Sequence, residues 1–391
     1  MKKIIVSLML LITLFSTTVN AQIKLSVNNE EINFKGDEPT LINDRTYVPV
    51  RFLAEALGAE VDWDDTHKVV IIKNYGIDGK QTHSIHYLRL GENKMVIAQY
   101  YYGENNGANS VASYYFPDDI YPIIVNDRTM LPFRYVAELL GAQVYYNPTA
   151  GIAHCVKRDF SNGSYKGKDD EIWTFPILST VIGDYFADEL NKWYSDPNNG
   201  WARNFKYNTP TYWDGTLADT TVWAGIDHVM HPEWYEWDGQ GNSPTAHKFT
   251  GNLENEKGCY APFYRTYLPN EPLRRGAYGE NQVQSRNLGS YGGENYDKSY
   301  NEYLNLTKNW GININTDKSG LDNFKLGGIY GKCHIRVIDE EMYRQISKDV
   351  IHVWAGSPGH LSNLLRACSY NWANGIGFAI VGENAYYNLF Y

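Results

Sequence analysis

The sequence predicts an α+β protein in two parts, a small α+β repeat module followed by an α/β/α sandwich. Three observations carry this reading. A string of nineteen residues recurs at a constant offset, a Gly-, Ser-, Lys- and Asp-rich stretch interrupts the apolar patterning near residue 160, and the chain beyond it passes through helical periods into two closing strand patterns.

The repeat comes first. Residues 43–61 read NDRTYVPVRFLAEALGAEV and residues 126–144 read NDRTMLPFRYVAELLGAQV, twelve of nineteen positions being identical at an offset of 83. Asn-Asp favours a tight turn between extended segments, and Pro49 or Pro132 then opens a helix where a missing N–H costs nothing. Val50, Leu53, Ala54 and Leu57 fall on one helical face, which Phe133, Val136, Ala137 and Leu140 repeat. Gly58 and Gly141 stop the two helices. Arg51 with Glu55 and Arg134 with Glu138 stand one turn apart and are expected to pair across exposed surface for a few tenths of a kcal/mol. Alternating apolar residues follow each helix, so each unit reads strand, turn, helix, hairpin. The module is assigned to residues 22–158. It shows no nucleophile–base pair and no cluster of metal-type ligands, and His67 and His154 read as surface or packing residues.

The NDRT-x-x-P-x-R-x-x-A-E-x-L-G-A-x-V pattern resembles the copper amine oxidase-like N-terminal domain of exported bacterial proteins. The resemblance implies a non-catalytic attachment module appended to another exported domain, and it implies no copper.

The chain opens on Lys2-Lys3, an apolar run from Ile4 to Phe15, and Val19-Asn20-Ala21, the pattern of a secretory signal peptide over residues 1–21. Residues 22 onward are therefore expected to be secreted or at the cell surface, and no later stretch has the roughly 20 apolar residues that a membrane span needs. Loss of Lys2 and Lys3 takes the formal charge from −10 to −12. An acidic chain without a basic stripe repels phosphate backbones, so nucleic acid is excluded as a partner. The aromatic content, 15% with 32 Tyr and 11 Trp, suits either glycan-facing surfaces or well-packed cores. Cys155, Cys259, Cys333 and Cys368 form no C-x-x-C pair; an exported chain permits disulfides, and Cys333 is the residue expected to be bridged, its partner left open.

Residues 159–180 read as a linker and residues 181–391 as the second part. Helices are predicted over 185–194, 217–230 and 339–354, and strands over 375–380 and 385–390. The most informative string is Trp354-Ala-Gly-Ser-Pro-Gly-His360-Leu-Ser-Asn-Leu-Leu365, in which Ser-Pro-Gly breaks one helix and leaves His360 at the start of the next.

This W-x-x-S-P-G-H-x-x-N-L-L string resembles the CAP (SCP-like) family of secreted proteins. Ala277-Tyr-Gly-Glu280-Asn281 is similar to the family's G-E-N motif, and Thr245-Ala-His247-Lys-Phe-Thr-Gly251 to its S-H-T-G segment. The resemblance implies a sandwich of CAP type with His247, Glu280 and His360 in one cleft. For the family's acidic residue on the preceding helix the nearest counterpart is Asp349, with Glu341 further away; Glu294 competes with Glu280. Two imidazoles and carboxylates suit a divalent cation such as zinc, with His247 and His360 as its ligands, and they suit general acid–base work. No G-x-S-x-G and no marked nucleophile is present. The expected role is therefore binding of a small ligand or a cell-envelope component rather than catalysis. The alternatives are a cleft-based extracellular hydrolase and a purely structural surface or spore-coat protein.

Overall fold

The computed structural model describes residues 24–75, 82–100, 107–108, 110–147, 149–157, 176–200, 210–215, 218–219, 221–222, 225, 279–284, 296–314, 329–330, 333–369, 375–381 and 384–389. The architecture is α+β. The first repeat copy runs through β1 (Lys24–Val27), β2 (Glu30–Glu31), β3 (Thr40–Ile42), β4 (Arg45–Pro49), α1 (Val50–Ala56), β5 (Glu60–Asp64) and β6 (Val69–Tyr75). A meander follows, β7 (Thr82–Arg89), β8 (Lys94–Gln99) and β9 (Ser110–Tyr115). The second copy comprises β10 (Ile123–Val125), β11 (Arg128–Pro132), α2 (Phe133–Leu139), β12 (Gln143–Asn147) and β13 (Ile152–Val156).

The two copies meet about a pseudo-two-fold axis. Sheet order β10-β11-β4-β3 places the two central strands antiparallel, with Val48 opposite its own repeat equivalent Leu131, and the pair Tyr47–Pro132 matched across the axis by its equivalent Met130–Pro49. The outer strands close on their partners through Asn43-Asp44 and Asn126-Asp127. Both turns have φ of 48° and 60°, the left-handed pair that a two-residue hairpin requires and that Asn and Asp tolerate. The predicted helix faces are buried in both copies.

Each helix ends in one hydrogen-bond pattern. Gly58 N–H donates to Glu55 O and Ala59 N–H to Ala54 O, and Gly141 and Ala142 repeat both bonds to Glu138 and Ala137. Gly58 has φ +83°, and an added Cβ would meet nothing within 4 Å. Gly58→Ala is therefore expected to lower stability by backbone strain alone, about 1–2 kcal/mol, read as a shift of the urea midpoint at unchanged slope.

The same hairpin seeds different sheets in the two copies. β12 and β13 pair with β1 and β2, β1 running parallel to β13. β5 and β6 instead begin a seven-stranded sheet, in the order β17-β18-β9-β8-β7-β6-β5. Its far edge comes from the second part of the chain, where β18 (Cys333–Ile338) lies parallel to β9 and β17 (Ile329–Tyr330) pairs with β18. Pairing satisfies the backbone groups that an open β9 edge would expose, and Ile335 and Val337 are buried.

The second part holds β14 (Ile177–Leu178), α3 (Gly183–Ser195), β15 (Tyr212–Trp213), β16 (Gly279–Gln284), α4 (Tyr296–Asn309), α5 (Glu340–Ala355), α6 (Pro358–Ser369), β19 (Gly375–Val381) and β20 (Asn384–Leu389). Its sheet runs β14-β19-β20-β16, with β15 parallel to β19. The closing hairpin and the helices over 185–194 and 339–354 lie where the periodicity places them. Of the helix predicted over 217–230, Ala218, Asp219, Thr221, Val222 and Gly225 are helical and buried, and the remaining positions lie outside the described residues. The segment read as linker ends in structure, because Ile177 and Leu178 are buried against β19. One apolar core runs through both parts, from Leu25 and the two repeat helices to Phe186, Trp354 and Phe378.

Candidate functional site

Trp354 organises the C-terminal core. It is fully buried, with its ring edge-on to Phe186 (6.1 Å between centroids) and Phe378 (6.3 Å), which stack on each other. α5 begins at Asp339, whose carboxylate accepts from Met342 N–H (3.3 Å), and carries Tyr343, Ile346, Val350 and Trp354 inward. The break after Ala355 is tight: Gly356 N–H donates to His352 O, and Ser357 N–H to Trp354 O. Pro358 then opens α6, and Leu361 N–H donates back to Ser357 O. His360 thus stands in the first turn of α6, half-buried, while Leu361, Leu364 and Leu365 hold that helix in place.

The elements that bear three of the four expected cleft residues are neighbours. α6 packs on β16 and β20, and α5 packs on α6 and β16. Glu280 lies in β16 opposite Asn388 of β20. Asp349 lies on α5, half-buried, and accepts from Gln345 Nε2 at 2.9 Å. His247 lies outside the described residues, as does the competing Glu294. Among the described residues no three His, Cys, Asp or Glu side chains converge as metal ligands.

Other expectations are corrected. Cys333 carries no disulfide: it is a buried thiol inside β18, against the core of the seven-stranded sheet, and burial pushes its pKa up to about 12. Cys155 is likewise a buried thiol, raised by desolvation. The repeat-module histidines are packing residues, as expected: His154 is bonded to Ser26 Oγ (2.6 Å), and His67 pairs with Asp64 (2.6 Å) beneath Gly311.

The larger correction concerns the duplicated Arg–Glu pair. In the first copy Arg51 and Glu55 meet at 3.4 Å with side chains 54% and 50% exposed, as expected. In the second copy Arg134 is 24% exposed and Glu138 only 3%, and they stand 4.0 Å apart. Arg134 instead binds Asp219 at 2.8 Å, while Glu138 accepts from Ser179 N–H (3.3 Å), Thr180 N–H (2.8 Å) and Thr180 Oγ1 (2.8 Å). Burial pushes Glu138 up to about 7, against the opposing pull of Arg134 and the Thr180 donors.

A second buried polar link joins the two parts. Lys94 of β8 and Glu302 of α4 pair at 2.8 Å with side chains 3% and 6% exposed. Ser113 Oγ donates to the same carboxylate, Tyr115 OH lies 3.0 Å from Lys94 Nζ, and the ammonium sits over the Tyr115 and Trp310 rings. Burial pulls the Lys94 pKa down, but Glu302 and Tyr115 outweigh it and leave it raised. A third ion cluster joins α3 to α5, with Glu189 bound by Lys192 (2.8 Å) and Arg344 (2.9 Å). Local spacing could reveal Glu189 with Lys192; nothing local marks Lys94 and Glu302, which are 208 residues apart.

No described helix is long and apolar enough to cross a membrane. Residues 26–154 match the family model of the copper amine oxidase N-terminal domain, a span that contains both copies of the nineteen-residue repeat. No curated protein and no solved structure matches the chain.

Proposed function

We propose that this chain, with residues 26–154 a copper amine oxidase N-terminal domain, is an exported cell-surface or secreted binding protein. In this reading residues 181–391 form a divergent CAP-type domain whose cleft takes a small ligand or a cell-envelope component, and the repeat module is a non-catalytic attachment platform. The observation that carries it is the meeting of three elements: α6, whose first turn holds His360, packs against the strand that bears Glu280 and the helix that bears Asp349. His360 and His247 would supply neutral imidazole to a divalent cation such as zinc, with Glu280 and Asp349 as the carboxylates of the cleft.

Zinc added to the chelator-treated full chain tests this reading by calorimetry and thermal melting. The expected result is saturable binding, with a stabilisation of about 2.7 kcal/mol at one hundred times Kd, lost in His247→Ala and in His360→Ala. Unchanged melting in zinc, or binding that survives both substitutions, rules out the metal-holding cleft.

A further inference from the structure

The seven-stranded sheet turns the face that bears Ile72, Leu88 and Ile97 to the core shared with the repeat helices, and a polar chain crosses that face. Asn74, Ser84 and His86, on the same face of β6 and β7, are 3%, 1% and 0% exposed. Lys157, just past β13, reaches them from the other sheet of the repeat module. Its ammonium donates to Leu57 O at the end of α1 (3.3 Å) and to Asn74 Oδ1 (3.0 Å). Asn74 Nδ2 donates to Ser84 Oγ (3.3 Å), which lies 3.1 Å from His86 Nε2. These are the hydroxyl's two partners among the described residues. Ser84 O–H therefore donates to Nε2, and the imidazole hydrogen sits on Nδ1, which meets no partner among them.

Every donor in the chain thus points one way, from the ammonium to the imidazole. A second proton on His86 would land on Nε2 and oppose the Ser84 hydroxyl, to which Asn74 already donates. No neighbouring anion would compensate. The side chains of β5 to β9 that share this face, from Val61 to the Tyr114 phenol, include no carboxylate among the described residues. Lys94 and Glu302 pair on the opposite face, Arg51 and Glu55 of α1 are exposed, and β13 contributes the Cys155 thiol. Arg336, three strands away in the row of His86, is another cation. Burial and the Lys157 ammonium hold the imidazole down at about 3, and Lys157, itself pulled down to about 8 by burial, stays charged at neutral and acid pH.

The two sheets joined by Lys157 share no ladder: one runs β12-β13-β1-β2, the other from β17 to β5. Core packing and the Lys157 clasp hold them, so they can part without breaking strand pairing. We propose that this hydrogen-bond chain is an acid trigger: proton uptake at His86 breaks it and lets the sheet that bears β13 part from the seven-stranded sheet, whose far face stays closed. Cys155, buried in β13, would then meet solvent, and Cys333, packed on the far face, would not. The neutral imidazole's contribution to stability is fully present above about pH 6.5 and is lost as pH falls toward about 3. Glu138 acts in the opposite direction over part of this range, so the wild type is read against a variant at each pH. The trigger belongs to the repeat module and is independent of the C-terminal cleft.

The test labels the thiols of the folded full chain with dithiodipyridine at pH 7 and pH 5. Each rate is divided by that of the urea-unfolded chain at the same pH, and mass mapping assigns the label to each cysteine. From pH 7 to pH 5, exposure of Cys155 is expected to rise on the order of twentyfold. Cys333 should stay protected, and His86→Gln, neutral throughout, should remove the rise. Because the readout is a ratio between two pH values, a constant loss of stability in that variant does not obscure it. Lys157→Met keeps the imidazole but removes the adjoining cation, so it should shrink the rise, and it decides the matter if His86→Gln does not fold. No rise in the wild type, or an equal rise in either variant, overturns the proposal. So does a parallel rise of Cys155 and Cys333, which is global unfolding.

Discussion

Replacing Glu302 by alanine is expected to destabilise the chain by about 3–5 kcal/mol, because it leaves the Lys94 ammonium, whose side chain is 3% exposed, with only the half-buried Glu92 carboxylate at 3.8 Å as counter-charge. Lys94→Ala should cost a similar amount by leaving the carboxylate with only neutral donors, the Ser113 and Tyr115 hydroxyls and the Asn305 amide. The two ions have each lost their water and are stable there only together. The double replacement Lys94→Met with Glu302→Leu is therefore expected to recover most of the loss, within about 1–2 kcal/mol of the wild type. Urea denaturation of the four proteins closes the cycle. Additive single losses would show that the pair is not coupled, and that apolar packing of α4 through residues such as Tyr300, Tyr303 and Leu306 holds it on the sheet.

The second large effect separates two positions that the repeat makes equivalent. Glu138→Ala removes the acceptor of Ser179 N–H, Thr180 N–H and Thr180 OH, and is expected to cost about 2–4 kcal/mol. Glu55→Ala, at the same position in the first copy, should stay within about 0.5 kcal/mol, as an exposed pair does. Glu138 also carries a pH signature. Its pKa rises from 4.5 to about 7 on folding, so the folded state binds the proton more tightly between those values. That contribution is fully present below pH about 4.5 and is lost as pH rises through about 7, on the order of 3 kcal/mol. Glu138→Gln removes the titration, so the stability difference between wild type and variant should shift in favour of the variant from pH 5 to pH 8. A flat difference would place the Glu138 pKa near its ordinary value.

Much of the N-terminal architecture was legible because its causes are local. Asn-Asp imposes the left-handed turn, the i, i+3, i+4 apolar spacing imposes the buried helix face, and Gly58 and Gly141 end each helix through a backbone conformation that other residues resist. The same holds for α3, α5 and the closing hairpin. In the candidate cleft, the break at Ser357-Pro358 and the start of α6 before His360 were readable for the same reason.

What could not be read locally is how these units are used. By itself the sequence determined two near-identical repeat units, each with an Arg and a Glu one turn apart. Only the tertiary structure decided that one pair is exposed to water and the other is buried under Asp219 and Thr180. It likewise decided that β18 completes a sheet begun by the repeat module, that Lys94 finds Glu302, and that Cys333 is a core thiol. The physical reason is that helix, turn and strand patterns are set by neighbours within about one turn, whereas burial and ion pairing depend on which surface the rest of the chain covers. That choice is encoded in residues from about forty to more than two hundred positions away, and no periodicity in the repeat records it.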